Sequence, residues 1–370
     1  MRARNPEVDQ AIPAMDPEEA HQQAVRSGLV IQRSDPLNCE TSIPALKAGT
    51  AMPTAHHYLR NHFRMPTLDS ASWRLTVAGL VEHPLTLSLG DLQGMPSQTL
   101  DVTLECAGNG RSTLRPPVEG EPWGLGAVST AEWTGVSLSE VLNRAGVKPT
   151  ATEVIFRGAD GGTVGGHSGI TRFERSLTLD EVRDFPPLLA FAMNAETLPV
   201  EHGFPLRLVV PRWYGVASVK WLTEIDVTDV TFRGYFQHER YFYEWDDDRR
   251  PREPVTVQRV RALITEPKPD QELERGDLSL RGLAWSGAAP IARVEVSAAG
   301  GPWEDAHLEG QPTRDSWQWW EMTIRAEHPG AVTFRVRATD AAGRTQPEQP
   351  EWNRLGYGAN AIQEVTVRVR

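Results

Sequence analysis

Cysteine is almost absent from this chain, with Cys39 and Cys106 alone among 370 residues. That scarcity excludes a disulfide framework, and no C-x-x-C-H site for a covalently attached haem occurs. Long apolar runs are missing too: no stretch of 18 such residues exists that could be read as a membrane-spanning helix. Positive charge is short, since 38 Lys and Arg face 49 Asp and Glu for a net charge of −11. An acidic surface argues against nucleic acid as a general partner, because phosphate binding needs a basic one. It also makes any local cluster of arginines meaningful. Met1 to Arg26 is polar and acidic, with neither an apolar signal core nor paired arginines. Cytoplasmic residence is the expectation, or a periplasmic one if an export signal was removed before residue 1.

What is present is an ordinary globular composition, 39% hydrophobic and 24% charged. At 370 residues the chain exceeds the usual size of a single core. The charged, proline-interrupted run Asp246 to Pro254 reads as a linker. Boundaries are accordingly expected at 1–30 for a polar N-terminal segment, 31–250 for a mixed domain and 251–370 for an all-β one. In the first domain Trp73 to Val77 and Leu206 to Val210 read as strands, and Ser137 to Arg144 as a helix capped by serine. In the last, Val332, Phe334, Val336 and Ala338 alternate with polar residues, as do Val365, Val367 and Val369. Similar alternations at 278–281, 292–297 and 318–324 predict an immunoglobulin-like sandwich without its disulfide. The fold class is therefore α+β.

Chemistry concentrates at Leu104-Glu105-Cys106-Ala107-Gly108-Asn109-Gly110-Arg111. Val102, Leu104 and Cys106 alternate with Asp101, Thr103 and Glu105, a strand pattern ending at the cysteine. The glycines let the backbone turn sharply and approach a bulky ligand. Arg111 brings a permanent charge and a planar fork of donors suited to an oxyanion, and such a charge favours the thiolate. A buried structural cysteine is the alternative reading of the same residues.

The segment Cys-Ala-Gly-Asn-x-Arg resembles the molybdenum-binding signature of the sulfite oxidase family of molybdopterin enzymes. Leu59-Arg60-Asn61-His62, His202-Gly203-Phe204-Pro205-Leu206-Arg207, Val219-Lys220-Trp221-Leu222 and Trp352-Asn353 with Gly356 resemble further family segments, in the family's order. The resemblance runs from about residue 30 to the end. It implies a molybdopterin-binding catalytic domain at 31–250 and, at 251–370, a β-sandwich through which two identical subunits pair. Metal-binding would fall to Cys106, and the molybdenum cofactor would be held by Arg60, Asn61, His62, Asp160, His202, Arg207, Ser218, Val219 and Lys220, with no haem in this chain.

The resemblance also implies catalytic roles for Arg60 and Arg111 in anion binding, for Tyr241 as the active-site phenol, and for Trp123 in the substrate pocket. Tyr235 and Tyr243 are close enough to Tyr241 to leave that choice open. His56, His57 and His62 lack the companions of a zinc site. Gly158 to His167 could cradle a phosphate, but taken alone it reads as a turn and lacks the nucleotide-loop patterns.

The activity implied is oxidation of sulfite to sulfate by oxygen-atom transfer, with electrons passed to an external acceptor such as cytochrome c or oxygen. Two other readings are a related reductase of nitrate or a sulfoxide, and a non-catalytic sandwich used for binding or assembly. One departure bears on the substrate. The resemblance implies an arginine immediately before Gly356, where this chain has Leu355; Arg354 lies one place earlier. Placing an arginine at 355 is expected to favour sulfite binding.

Overall fold

The structure is a computed structural model that describes residues 14–46, 49, 51–247 and 249–370. Of the polar segment expected at 1–30, residues 1–13 lie outside the described residues, as does residue 248 of the expected linker. Pro17–Arg26 forms an α-helix, started by the Asp16 side chain accepting from the Glu18 N–H, with acidic residues in its first turn and Arg26 in its last.

Two five-stranded sheets carry the first part of the chain. One is antiparallel and places Ser97–Glu105 beside Val128–Ser137, followed by Leu188–Met193, which also pairs Arg207–Val209. The other orders Leu85–Leu87, Leu75–Gly79, Leu222–Thr228, Glu153–Gly162 and Thr171–Thr178, with one parallel pairing between Leu75–Gly79 and Leu222–Thr228. The helix Leu138–Ala145 follows directly from its strand; Ser137 occupies the cap position, but its side chain makes no capping bond. The glycine-rich stretch that reads as a turn from sequence is in its first half a strand. Glu153–Gly162 pairs on both edges, and its register slips between Arg157 and Gly161. That slip is a bulge of the kind that re-aims side chains near functional sites.

The second part is a two-sheet sandwich. Arg261–Glu266, Gly276–Trp285, Gln318–Ala326 and His307–Leu308 form one sheet; Glu272–Leu273, Gln363–Val369, Gly330–Asp340, Ile291–Ala298 and Glu304–Asp305 form the other. Ile264, Leu280, Trp320, Phe334, Val336, Val365 and Val367 fill the space between them. The expected alternations at 332–338 and 365–369 are the inward faces of these strands.

A further apolar cluster joins Leu46, Met52 and Val128 of the first part to Leu263, Leu283, Trp285, Trp317 and Trp319 of the second. At its edge lies a charged contact. Arg261 Nη1 donates to Glu105 Oε1 at 3.0 Å and to the Asn109 carbonyl at 3.2 Å. Trp285 Nε1 donates to Glu105 Oε2 at 2.9 Å, and Asn109 Nδ2 to Oε1 at 3.0 Å. Both members of the ion pair are almost wholly buried, at 3% and 2% side-chain exposure. A buried pair is costly to form but far costlier to leave half-made. We expect Arg261→Met to destabilise the protein by about 3–5 kcal/mol in urea unfolding. In a double-mutant cycle the added loss from Glu105→Gln should be well below its cost alone.

Candidate functional site

Cys106 directly follows the strand Ser97–Glu105 and is 6% exposed. The following turn is closed by hydrogen bonds from Asn109 N to the Cys106 carbonyl at 2.9 Å and from Arg111 N to the Gly108 carbonyl at 3.0 Å. Gly110 adopts φ +83°, and a Cβ on Gly108 would sit 2.7 Å from the Arg111 guanidinium. Glycine at 108 therefore lets Arg111 fold back over its own turn. Arg111 is then fixed by Nε donating to the Leu355 carbonyl at 3.1 Å and Nη1 to the Glu121 carbonyl at 2.8 Å. Burial raises the Cys106 thiol above its ordinary pKa, outweighing Arg60 and Arg111, which pull it down. The sequence argument for a thiolate is thus reversed in the folded chain, where burial favours the thiol.

Two cavities meet at this cysteine and share Arg60, His62, Cys106 and Tyr241. The inner one, about 650 Å³, brings together Asn61, Asp160, His202, Arg207, Ser218 and Lys220 from segments far apart in sequence. Asn61, Lys220, Arg207 and Ser218 are placed by specific contacts. Asn61 donates to the Leu37 carbonyl at 2.7 Å, and Lys220 Nζ donates to Asn61 Oδ1 and, at 3.0 Å, to the Glu201 carbonyl. Arg207 Nη1 donates to the His202 carbonyl at 3.0 Å, and its guanidinium lies 4.6 Å from the Trp133 ring centroid. Ser218 Oγ accepts from Val210 N at 3.0 Å. Val219 alone among the cofactor candidates is not on the cavity wall. It is fully buried in the core, and its carbonyl accepts from Leu208 N at 2.8 Å.

Burial governs the electrostatics of the inner cavity. It raises the Asp160 carboxyl, against Lys220, and lowers the Lys220 ammonium, with Arg207 adding to the effect. His62 and His202 are pushed well below the usual histidine value by burial, and nearby cations act in the same direction. His57 lines this cavity with Tyr58, although its sequence context points only to a rejected zinc site. The signal for both was their position directly before Leu59-Arg60-Asn61-His62. His57 Nδ1 bonds the Tyr58 carbonyl at 3.0 Å, and its ring lies 5.0 Å from that of His202.

The outer cavity, about 940 Å³, opens over Arg111, Trp123, Tyr235 and Tyr241, and adds Arg33, Glu121, Arg240 and Tyr357, which sequence reasoning missed. Trp123 is fully buried, and its indole N–H has no protein partner. Of the three tyrosines, Tyr241 alone reaches both cavities; its hydroxyl lies 2.6 Å from His62 Nε2, and its ring stacks on Tyr357 at 4.9 Å. Tyr243 lines neither, its ring lying beneath the Arg259 guanidinium at 4.4 Å. Leu355 is 8% exposed, packs in the core and lies on neither wall. Arg354 is not in a strand; its side chain binds Glu244 at the surface at 2.6 Å.

Comparison with known proteins decides the family. Residues 62–236 match the oxidoreductase molybdopterin binding domain and 252–370 the Mo-co oxidoreductase dimerisation domain. The chain is 34% identical over 354 residues to sulfite oxidase of Gallus gallus, covering 90% of this chain and 76% of that one. It belongs to the sulfite oxidase family of molybdopterin oxidoreductases. The mitochondrial sulfite oxidase of Mus musculus is 34% identical over 92% of this chain, which spans 66% of that protein's length. Nitrate reductase [NADH] 1 of Oryza sativa subsp. japonica is also 34% identical, over 90% of this chain and 40% of its own. The crystal structure of the sulfane dehydrogenase SoxCD from Paracoccus pantotrophus superposes with TM-score 0.80 at 28% identity, covering 99% of this chain and 92% of that one.

The inner cavity suits the family's cofactor. Asp160 Oδ1, Arg207 Nε and His57 Nε2 are buried without a protein hydrogen-bond partner. Each belongs to a residue on the wall of this cavity. A pterin edge and a terminal phosphate match such a set of unmet acceptors and donors. Among the described residues no three His, Cys, Asp or Glu side chains converge on one point. Cys106 is the cysteine on this wall, and its sulfur would suit a soft metal such as molybdenum.

Burial makes the cofactor-free protein sensitive to acid. His57 is lowered from 6.5 to about 3 in the fold. Between those values the unfolded chain binds a proton that the native chain refuses, so stability is full above pH 6.5 and falls as pH drops. The slope is about 1.4 kcal/mol per pH unit for each such histidine. We expect urea unfolding of cofactor-free protein between pH 6.5 and 5 to show this loss. His57→Gln should reduce the slope by about one proton.

Proposed function

We propose that the protein oxidises sulfite to sulfate at a molybdenum cofactor and passes the electrons to an external acceptor. The observation that carries this reading is the meeting of two cavities at Cys106. One is a buried cradle of unmet polar groups, and the other is a mouth lined by Arg33, Arg60, Arg111 and Arg240, with Glu121 as its one carboxylate. In a chain of net charge −11, four guanidinium groups around one opening favour an anion. The sulfite oxidase relatives support the substrate, and the dimerisation-domain match supports pairing of two identical chains.

Arg207, Lys220, His202 and Asp160 would hold the cofactor's polar edge and phosphate, while Cys106 would bind the metal. The bound molybdenum supplies two-electron oxygen-atom transfer; the chain positions the anion and controls protons. Arg60 and Arg111 hold the oxyanion beside Cys106. Arg111 is preorganised by two main-chain carbonyls, which leave part of its donor fork free to face the mouth. Because His62 stays neutral, one of its nitrogens can bond Tyr241 without adding a charge, which holds the phenol where it can donate to the anion. Trp123 lends the mouth an unpartnered indole N–H. Reduction of nitrate is the second reading, favoured by the likeness to the rice enzyme.

Metal analysis should find about one molybdenum per chain in protein from a molybdenum-replete host. The loaded enzyme should oxidise sulfite with ferricyanide or cytochrome c as acceptor. Nitrate or sulfoxide reduction without sulfite oxidation would overturn the assignment. Cys106→Ser should abolish turnover while pterin remains detectable by fluorescence after release; undiminished activity would remove Cys106 from the metal. Tyr241→Phe, which deletes only the hydroxyl, should lower kcat/KM by roughly tenfold or more at unchanged molybdenum content.

A further inference from the structure

We propose that Arg240 supplies the third guanidinium of the anion site, in the role that residue 355 leaves empty. The inference rests on the functional reading above and refines its substrate class to a doubly charged oxyanion.

Four arginines line the outer mouth, and three of them already carry protein partners on part of their donor forks. Arg33 is paired with Glu121 at 3.0 Å, which cancels its charge at the rim. Arg111 donates to two carbonyls, and Arg60 Nη1 to Asn38 Oδ1 at 3.3 Å and to the Asn61 carbonyl. Arg240 is half-buried, and among the described residues its side chain makes no hydrogen bond or ion pair. A guanidinium so placed in a polar mouth retains its full donor fork for a ligand.

The backbone places it there. Phe236–Arg240 is a single π-helical turn, wider than an α-helical one and often found at functional sites. It sets Tyr235, Phe236, Arg240 and the following Tyr241 on one wall of the cavity. The charged neighbours on this turn face elsewhere: Glu239 binds His167 at 2.9 Å, and His238 contacts Arg233 at 3.4 Å. Neither neutralises Arg240. The positive field of Arg240 reaches the reacting wall, since it opposes the burial-driven rise of the Tyr241 and Tyr357 phenols.

The C-terminal segment cannot take this role. Leu355 packs in the core and offers only its carbonyl, which accepts from Arg111, and Arg354 is bound to Glu244. The third cation therefore comes from the turn Phe236–Arg240. An arginine introduced at 355 would have to leave the core to reach the mouth, so the gain in sulfite binding expected from sequence does not follow from this geometry.

The test uses the molybdenum-loaded enzyme at low ionic strength, with Arg240→Gln, Arg240→Lys and the surface control Arg354→Gln matched for metal content and melting temperature. Arg240→Gln should raise the KM for sulfite about tenfold with kcat within about twofold, and weaken sulfate binding in calorimetry by a similar factor. Arg240→Lys should recover most of both, and Arg354→Gln should change neither. The proposal is overturned if Arg240→Gln leaves the sulfate dissociation constant unchanged, if Arg354→Gln matches its effect, or if the wild-type protein does not bind sulfate. A wild-type enzyme that binds sulfate through Arg240 but does not oxidise sulfite would retain the anion site and reject the assigned reaction.

Discussion

The buried pair of Glu105 and Arg261 is the contact on which the rest of the site depends. Glu105 is the last residue of its strand and the immediate neighbour of Cys106, so its position fixes where the thiol stands. Arg261 reaches it from the first strand of the sandwich, and the same guanidinium binds the Asn109 carbonyl within the cysteine turn. Gly358 N adds a bond to the Ala107 carbonyl at 2.8 Å. The turn around Cys106 is thus braced on one side by the sheet it leaves and on the other by the second domain. Desolvating two charges is expensive, and the cost is offset here because both carboxylate oxygens have donors, among them an indole N–H.

The same economy of solvent explains the two cavities. The inner one is lined by buried titratable groups held away from their usual states, which suits a ligand that carries matching charge and hydrogen-bonding edges into it. The outer one is lined by four arginines and one carboxylate, and suits a small anion that must arrive and depart. Tyr241 stands at the boundary, bonded to a histidine kept neutral by burial.

How much of this was readable in the sequence follows from how local each signal is. The cysteine turn is contiguous, and its glycines and Arg111 have spacings that the backbone alone imposes, so the strand end and the turn were legible without tertiary knowledge. The sandwich was legible because alternation in strands such as Gly330–Asp340 is a property of the pleat. Asp160 was identified by resemblance, yet its segment reads as a turn because glycines normally mark one; the partners on both edges that make it a strand are distant in sequence. Val219 lies beside Lys220 but faces the core, a distinction of side-chain direction that a motif does not encode. Arg33, Arg240 and Tyr357 stand in no shared pattern, and only folding brings residues so far apart to one opening.

Tyr357 and the Leu355 carbonyl reach the mouth from the last sixteen residues of the chain, whereas the cradle that faces the cofactor is complete by Tyr241. A shift of the segment that carries Leu355 and Tyr357 would therefore reach the anion mouth through the Arg111 anchor and the Tyr241 stack, while the inner wall keeps every one of its own side chains.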